Sequence, residues 1–311
     1  MKHKAIDKWI AGFLKQQPPR AKSIVMTVFG DAIAPRGGTV WLGSLIALMD
    51  ALKINDRLVR TSVFRLTEES WLHANRSGRR SQYSLTSQGS KRFARAYQRV
   101  YAPASSAWDG RWIFVIAPPN LSRSSDRNQL KKELLWEGFG LIAPGVFVHP
   151  GSKEAAVSEI LQRTGNADRV FVSAATSLND ITSRPLTDLL THCWQLEAVI
   201  KGYADFVKRY APLLALLQEE SDLTDQQAFV IRTLLIHAFR RVQLHDPQLP
   251  AELLRADWAG VTAYDVCKSI YQIVTPQADA YVALTLATEQ DVVLPIAKEF
   301  VQRFNTERQS K

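Results

Sequence analysis

The chain has 311 residues, 46% of them apolar, too many for one ordinary core and enough for two or three domains. Its formal net charge of +9 is uneven: residues 1–100 hold 18 Lys+Arg against 6 Asp+Glu, and residues 101–311 hold 21 against 24. Basic character confined to one end points to a nucleic-acid-binding module, with a basic membrane-surface segment as the competing reading, while the absence of any run of about eighteen apolar residues excludes a membrane-spanning helix.

The first stretch, "KAIDKWIAGFLKQ", reads as a short amphipathic helix and not a signal peptide, because charges interrupt its apolar run. Residues 21–30, "AKSIVMTVFG", form a second helix candidate, followed by the breaker "APRGG". From Val40, "VWLGSLIALMDAL" spaces Trp41, Leu42, Leu45, Ile46, Leu48, Met49 and Leu52 as one broad helical face. After a turn, "NDRLVRTSVFRLTEES" predicts a helix capped by Asn55. Its period turns Val59, Ser62, Val63 and Leu66 inward and leaves Arg57, Arg60, Thr61 and Arg65 on the accessible side, with Arg65 also within reach of Glu68 or Glu69.

Two strands are predicted next, "WLHANR" (71–76, ending on Arg76) and "SQYSLT" (81–86), around the turn "SGRR". Gly78 is free to take a positive φ there, and Arg79 and Arg80 stand at the tip. Helix, turn, helix and then a basic hairpin is the order of a winged helix-turn-helix, in which the second helix enters a major groove and the hairpin reaches phosphates beside it. A solvated charged turn is the alternative. A basic helix (87–101) leads to a linker, "APASSAWDG".

The middle of the chain alternates strand (112–118), helix (125–140), extended segment (142–150), helix (153–165) and strand (169–176), with Pro144 and Gly145 splitting the extended segment into a hairpin. That succession predicts a ferredoxin-like α/β domain. From about residue 180 the pattern is helical. "LTDLLTHCWQLEAVIKGYADFVKRY" reads as one long amphipathic stretch, Pro212 opens the next segment, Thr224 and Gln227 make a capping box, and "AYDVCKSIYQIV" (263–274) forms a further helix. The final "NTERQSK" reads as disordered. The expected fold is multidomain α+β, divided as a winged-helix DNA-binding domain (1–101), a ferredoxin-like domain (102–178) and a helical C-terminal domain (179–311).

No catalytic or metal motif emerges. Cys193 and Cys267 are too few for a secreted disulfide framework and too isolated for a zinc site, so the cytoplasm is the expected compartment. "GFGLIA" (138–143) follows a helix, the wrong context for a dinucleotide fingerprint, and the six histidines lack ligand spacing. No serine sits in a nucleophile elbow, so an enzyme is not expected, and no catalytic residue, cofactor or metal is assigned.

Several segments together are familiar: "FGDAIAPRGGTVWLGSL", "VRTSVFRL", "GRRSQYSLT", "WDGRW", "LLWEGFG" and "RRVQLHDPQLPAELLRADWAG". In this order they resemble the PaaX family, transcriptional repressors of phenylacetate degradation operons. The resemblance implies binding to double-stranded operator DNA and release by phenylacetyl-CoA, and a homodimer is expected because two helices on adjacent major-groove faces can match a palindromic operator. The resemblance places DNA reading on Arg57, Arg60 and Thr61, and the wing on Arg79 and Arg80. Ser70 departs from it, since the family commonly has glycine before the tryptophan. The central domain also resembles ferredoxin-like CRISPR-associated nucleases, which carry a metal-binding aspartate just beyond their first strand. Ala117 stands there in this chain, so a scaffold or dimerisation module is expected.

An acyl-CoA effector needs cations for its phosphates and an apolar or aromatic wall for its acyl group. Arg240, Arg241, Trp258 and Tyr271 are the candidates for that site. A constitutive nucleic-acid-binding protein without a small effector stays open as the alternative.

Overall fold

The computed structural model describes residues 3–101, 108–118, 124–151, 153–176, 186–219, 222–288, 293–301 and 303–304. The expected linker at 102–107, the boundary near 178 and the terminal segment 305–311 lie outside the described residues.

Helices α1 (His3–Gln16) and α2 (Ala21–Val28) come first, and α2 runs on through a wide turn (Phe29–Ile33) and a 3-10 turn (Ala34–Arg36). Then follow β1 (Thr39–Trp41), α3 (Leu42–Asp50), α4 (Asp56–Glu68), the hairpin β2 (Leu72–Ser77) and β3 (Arg80–Leu85), and α5 (Ser87–Tyr101). The middle segment gives β4 (Arg111–Ile116), α6 (Ser124–Glu137), β5 (Gly140–Ala143), β6 (Val146–Pro150), α7 (Glu154–Thr164), β7 (Phe171–Thr176) and α8 (Leu186–Cys193). Helices α9 (Leu196–Glu219), α10 (Asp225–Gln243), α11 (Ala259–Ala287) and α12 (Lys298–Val301) complete a mixed α+β chain with two small sheets and a helical C-terminal region.

By contact the chain divides into two compact units. One gathers Met1–Pro103, Asp205–Arg241 and Val261–Lys311; the other gathers Ala104–Ala204 and Val242–Gly260. In the first, α4 packs against α2 and α3 through Val59, Val63 and Leu66, all buried beside Ile24, Val25, Leu45 and Leu48. Each such side chain contributes about 1.5–3 kcal/mol of burial.

This unit also buries a charge cluster. The wide turn after α2 carries Asp31 inward, where its Oδ2 lies 2.9 Å from Arg232 Nε and its Oδ1 3.0 Å from Arg303 Nη1. Tyr101 and Tyr271 both donate their hydroxyls to Asp31 Oδ1, at 2.6 and 3.1 Å. Arg232 and Arg36 then share Asp279 Oδ1, at 2.8 and 3.0 Å. Burial pushes the Asp279 carboxyl up, but the two guanidinium groups outweigh it and hold the group below its ordinary value. Ionic groups removed from water persist only with this degree of mutual pairing.

In the second unit the sheet order is β5-β6-β4-β7, antiparallel throughout. Ile113, Val115, Leu130, Leu134, Phe147 and Ile160 join one face of it to α6 and α7 in one core cluster. The expected hairpin at Pro144 and Gly145 joins β5 to β6; Gly145 has φ 80° and its carbonyl accepts from Ala117 N at 2.8 Å.

Three local expectations differ from the structure. Residues 39–41 are a strand paired with β3, Val40 opposite Tyr83, so the helix begins only at Leu42. The stretch from 186 is not continuous: Trp194 donates its indole N–H to Gly138 O at 2.7 Å, and the chain breaks there between α8 and α9. Pro212 lies inside α9 instead of opening a new segment, and α11 runs on beyond residue 274 through Pro276. Around Pro276, buried Val274, Ala278, Val282 and Leu286 repeat every four residues, and their packing exceeds the ~3 kcal/mol that an internal proline costs. The Thr224–Gln227 box forms as expected, with Gln227 N donating to Thr224 Oγ1 at 3.2 Å and Thr224 N to Gln227 Oε1 at 3.0 Å.

Candidate nucleic-acid interface

Helix α4 starts where Asn55 Oδ1 accepts from Leu58 N at 3.0 Å, which satisfies one of the unpaired donors of the first turn. Val59, Ser62, Val63 and Leu66 are buried, while Arg57, Arg60, Thr61 and Arg65 face solvent. Arg60 rests on Asp56 one turn earlier, with Nε 2.7 Å from Oδ1; both side chains are more than half exposed. An ion pair of that kind holds about 0–1 kcal/mol, so an incoming phosphate or base edge displaces it readily. Thr61 Oγ1 donates to Arg57 O at 2.9 Å. Glu69 pairs with Lys22, not with Arg65, which keeps its guanidinium toward solvent.

The same face exposes two apolar side chains that the sequence reading did not single out, Phe64 at 64% and Leu58 at 45%. The signal was available: both fall outside the buried period of α4, and an apolar residue off the core stripe is informative on a helix otherwise exposing arginines.

At the end of α4 the chain makes a two-bond cap, Trp71 N to Leu66 O at 2.9 Å and Ser70 N to Thr67 O at 3.0 Å. Ser70 adopts φ 58°, the left-handed conformation that glycine takes without strain. Its carbonyl also accepts from Thr86 Oγ1 at 2.6 Å, tying the entry of β2 to the exit of β3. In the hairpin between, Gly78 takes φ 59°, Ser77 pairs with Arg80, and Arg76, Arg79 and Arg80 are all exposed. Arg80 lies 5.9 Å from the Trp41 ring centroid on β1, whereas Arg79 at the tip has no such contact among the described residues. Helix α4 and the hairpin thus present six arginines and a threonine to solvent within one unit.

Three of the four effector candidates, Arg240, Arg241 and Tyr271, belong to the first unit. Tyr271 is buried, and its hydroxyl is engaged by Asp31 and by Arg303 Nη1 at 2.7 Å. Arg240 donates to Ser23 O and Oγ at 2.9 and 3.0 Å; burial, opposed by Tyr101 and aided by the charge of Arg241, brings its pKa down to about 10. Arg241 is exposed. Trp258 belongs to the second unit, with its ring 6.2 Å from that of Tyr203. Among the described residues no group of three metal-ligating side chains occurs, and no helix is long and apolar enough to cross a membrane.

This mixed α+β chain with a helical C-terminal region is similar to known proteins over most of its length. Residues 20–89 match the PaaX-like protein family, 105–186 the PaaX protein central Cas2-like domain and 194–284 the PaaX-like protein C-terminal domain. Over 282 residues the chain is 40% identical to the transcriptional repressor PaaX of Escherichia coli K12, covering 89% of this chain and 88% of that one. The chain belongs to the PaaX family. In fold it is similar to the uncharacterized protein Rv0674 from Mycobacterium tuberculosis, with a TM-score of 0.52 and 21% identity over 84% of this chain and 97% of the other.

Proposed function

We propose that this protein is a homodimeric, cytoplasmic transcriptional repressor of phenylacetate catabolic genes that leaves its operator when phenylacetyl-CoA binds. The carrying observation is the outward face of α4, where Arg57, Arg60 and Thr61 stand on a helix capped, packed and followed at once by an arginine-tipped hairpin. On this reading residues 1–101 act as a winged helix: α4 enters the major groove, Arg57, Arg60, Thr61 and Arg65 meet base edges and flanking phosphates, and Arg76, Arg79 and Arg80 lie along the backbone. The β5-β6-β4-β7 order agrees with a ferredoxin-like central domain, and the 40% identity to a protein named a transcriptional repressor supports repression as the outcome of binding.

Fluorescence anisotropy on DNA from the gene's own upstream region, at fixed salt, tests the proposal when titrated with phenylacetyl-CoA, phenylacetate and CoA. Release by the thioester alone is the expected result. Specific binding untouched by all three removes the effector and leaves a constitutive DNA-binding protein, and binding indifferent to sequence removes the operator as well.

A further inference from the structure

The first unit contains a half-open cavity of about 360 Å³ between the turn after α2, strands β1 and β3, helix α5 and the chain at Phe300. Its walls are aromatic: Phe93 and Tyr97 stand one turn apart on α5, and the Phe300 ring meets Tyr97 edge-on at 5.0 Å and 82°. Gly30, Gly37 and Gly38 form part of the surround; Gly30 has no Cβ to offer because Phe93 Cε1 would sit 2.9 Å from it. Polar groups come from the hydroxyls of Thr39, Ser84, Ser90 and Tyr97, and none of the described lining residues is charged.

We infer that this cavity receives the aryl and acyl end of an arylacyl thioester, so that occupancy of the cavity is the signal for DNA release. The inference rests on the effector reading given above and names a site for it. Size supports the aryl end: a benzene ring fills a cavity of about 150 Å³, so the space here takes a ring, a methylene and a thioester but not a nucleotide. Chemistry supports the thioester over the free acid. A carboxylate entering a lining whose described residues include no cation loses its hydration uncompensated, whereas a thioester carbonyl needs only a hydroxyl donor, which Ser84 or Ser90 supplies. The nucleotide end of such a ligand remains outside, next to a helix that exposes Lys91 one residue beyond Ser90.

The position explains how occupancy reaches DNA. Ser84 and Leu85 belong to β3, the strand that begins at Arg80, and Leu85 N donates to Gly38 O at 3.1 Å on the cavity's own border. Behind the aromatic wall, the Arg303 guanidinium lies 5.6 Å from the Tyr97 ring centroid and 5.3 Å from that of Phe300. A ligand between α5 and β3 therefore bears on the hairpin on one side and on the buried charge cluster on the other. If it binds better when these walls are spread, it draws the population from the DNA-bound arrangement.

Photolabelling of the full chain with 4-azidophenylacetyl-CoA, followed by peptide mass spectrometry, locates the aryl group directly. The expected label falls on residues 29–39 or 84–101. In parallel, calorimetry with phenylacetyl-CoA compares the wild type with Ala94→Trp, which projects an indole from an exposed helical position into the cavity mouth. At least a tenfold loss of thioester affinity is expected, with operator binding already weakened in its absence because the indole itself occupies the cavity. Label confined to other peptides, or unchanged affinity in a folded Ala94→Trp, overturns the site even where phenylacetyl-CoA releases DNA. Label and affinity loss at the cavity without DNA release keep the site and overturn the effector reading instead. No binding of phenylacetyl-CoA overturns both.

Discussion

Asp31 and Arg232 meet at 2.9 Å with side chains only 3% and 1% exposed, joining a turn near the start of the chain to the middle of α10. Removing one member of such a pair strands the other charge in a medium that does not solvate it, which costs about 3–5 kcal/mol. Asp31→Asn is expected to lower the unfolding free energy by that amount, read as a lower urea midpoint with an unchanged m-value. Asp56→Asn, which breaks the exposed pair with Arg60, is expected to shift stability by less than about 1 kcal/mol. Equal effects of the two substitutions would remove the cluster from the account of what joins the N-terminal and C-terminal segments of the first unit.

On the proposed docking, α4 and the hairpin divide their labour. Arg60→Ala is expected to cost about 1–3 kcal/mol on the operator and to relax preference at one base position. Arg79→Ala is expected to weaken every duplex alike and to reduce the magnitude of the slope of log K against log salt by about 0.9. Phe64→Ala is expected to lose affinity with no change of salt slope, since an apolar side chain at 64% exposure has thymine methyl groups as its natural contact in a major groove. Anisotropy titrations at four salt concentrations on specific and scrambled duplexes separate the three behaviours.

Much of this candidate site was legible because it is local. Asn55, the inward set from Val59 to Leu66 and the Gly78 turn each follow from neighbours a few residues away, and each forms as read. Strand β1 was not legible: Val40 and Trp41 suit a helix face equally well, and only pairing with Tyr83 and Gln82 makes them a strand. Asp31 was invisible as a buried centre because its partners come from residues 101, 232, 271 and 303. Tyr271 was selected for its chemistry, but its hydroxyl is already spent inside that cluster, and periodicity carries no information about such long-range engagement.

Ser70 holds φ 58° at the end of α4, where the PaaX resemblance calls for glycine. A residue with a Cβ pays about 1 kcal/mol for the left-handed conformation. Ser70→Gly is therefore expected to raise stability by about 0.5–1 kcal/mol in thermal and urea unfolding, because both cap hydrogen bonds involve backbone alone. A destabilised Ser70→Gly would mean that the hydroxyl has a role the cap geometry does not require.

His237 links stability to pH. Burial first, and then the charges of Arg240 and Arg241, lower its pKa from 6.5 to about 3, while Thr27 Oγ1 lies 3.0 Å from its Nδ1. The folded protein keeps this imidazole neutral at a pH where the unfolded chain has already bound a proton. Below pH 6.5 the unfolded state thus takes up more protons, and stability falls as pH drops toward 3, the contribution being fully present only above 6.5. From this group alone the loss at pH 5 is about 2 kcal/mol. Urea unfolding between pH 5 and 7.5 is expected to show that slope in the wild type and a shallower one in His237→Gln, which retains polar groups at the site but has no proton to gain. An identical slope in both proteins would remove His237 as its source; Asp279, whose lowered pKa also removes stability on acidification, acts only below the range measured.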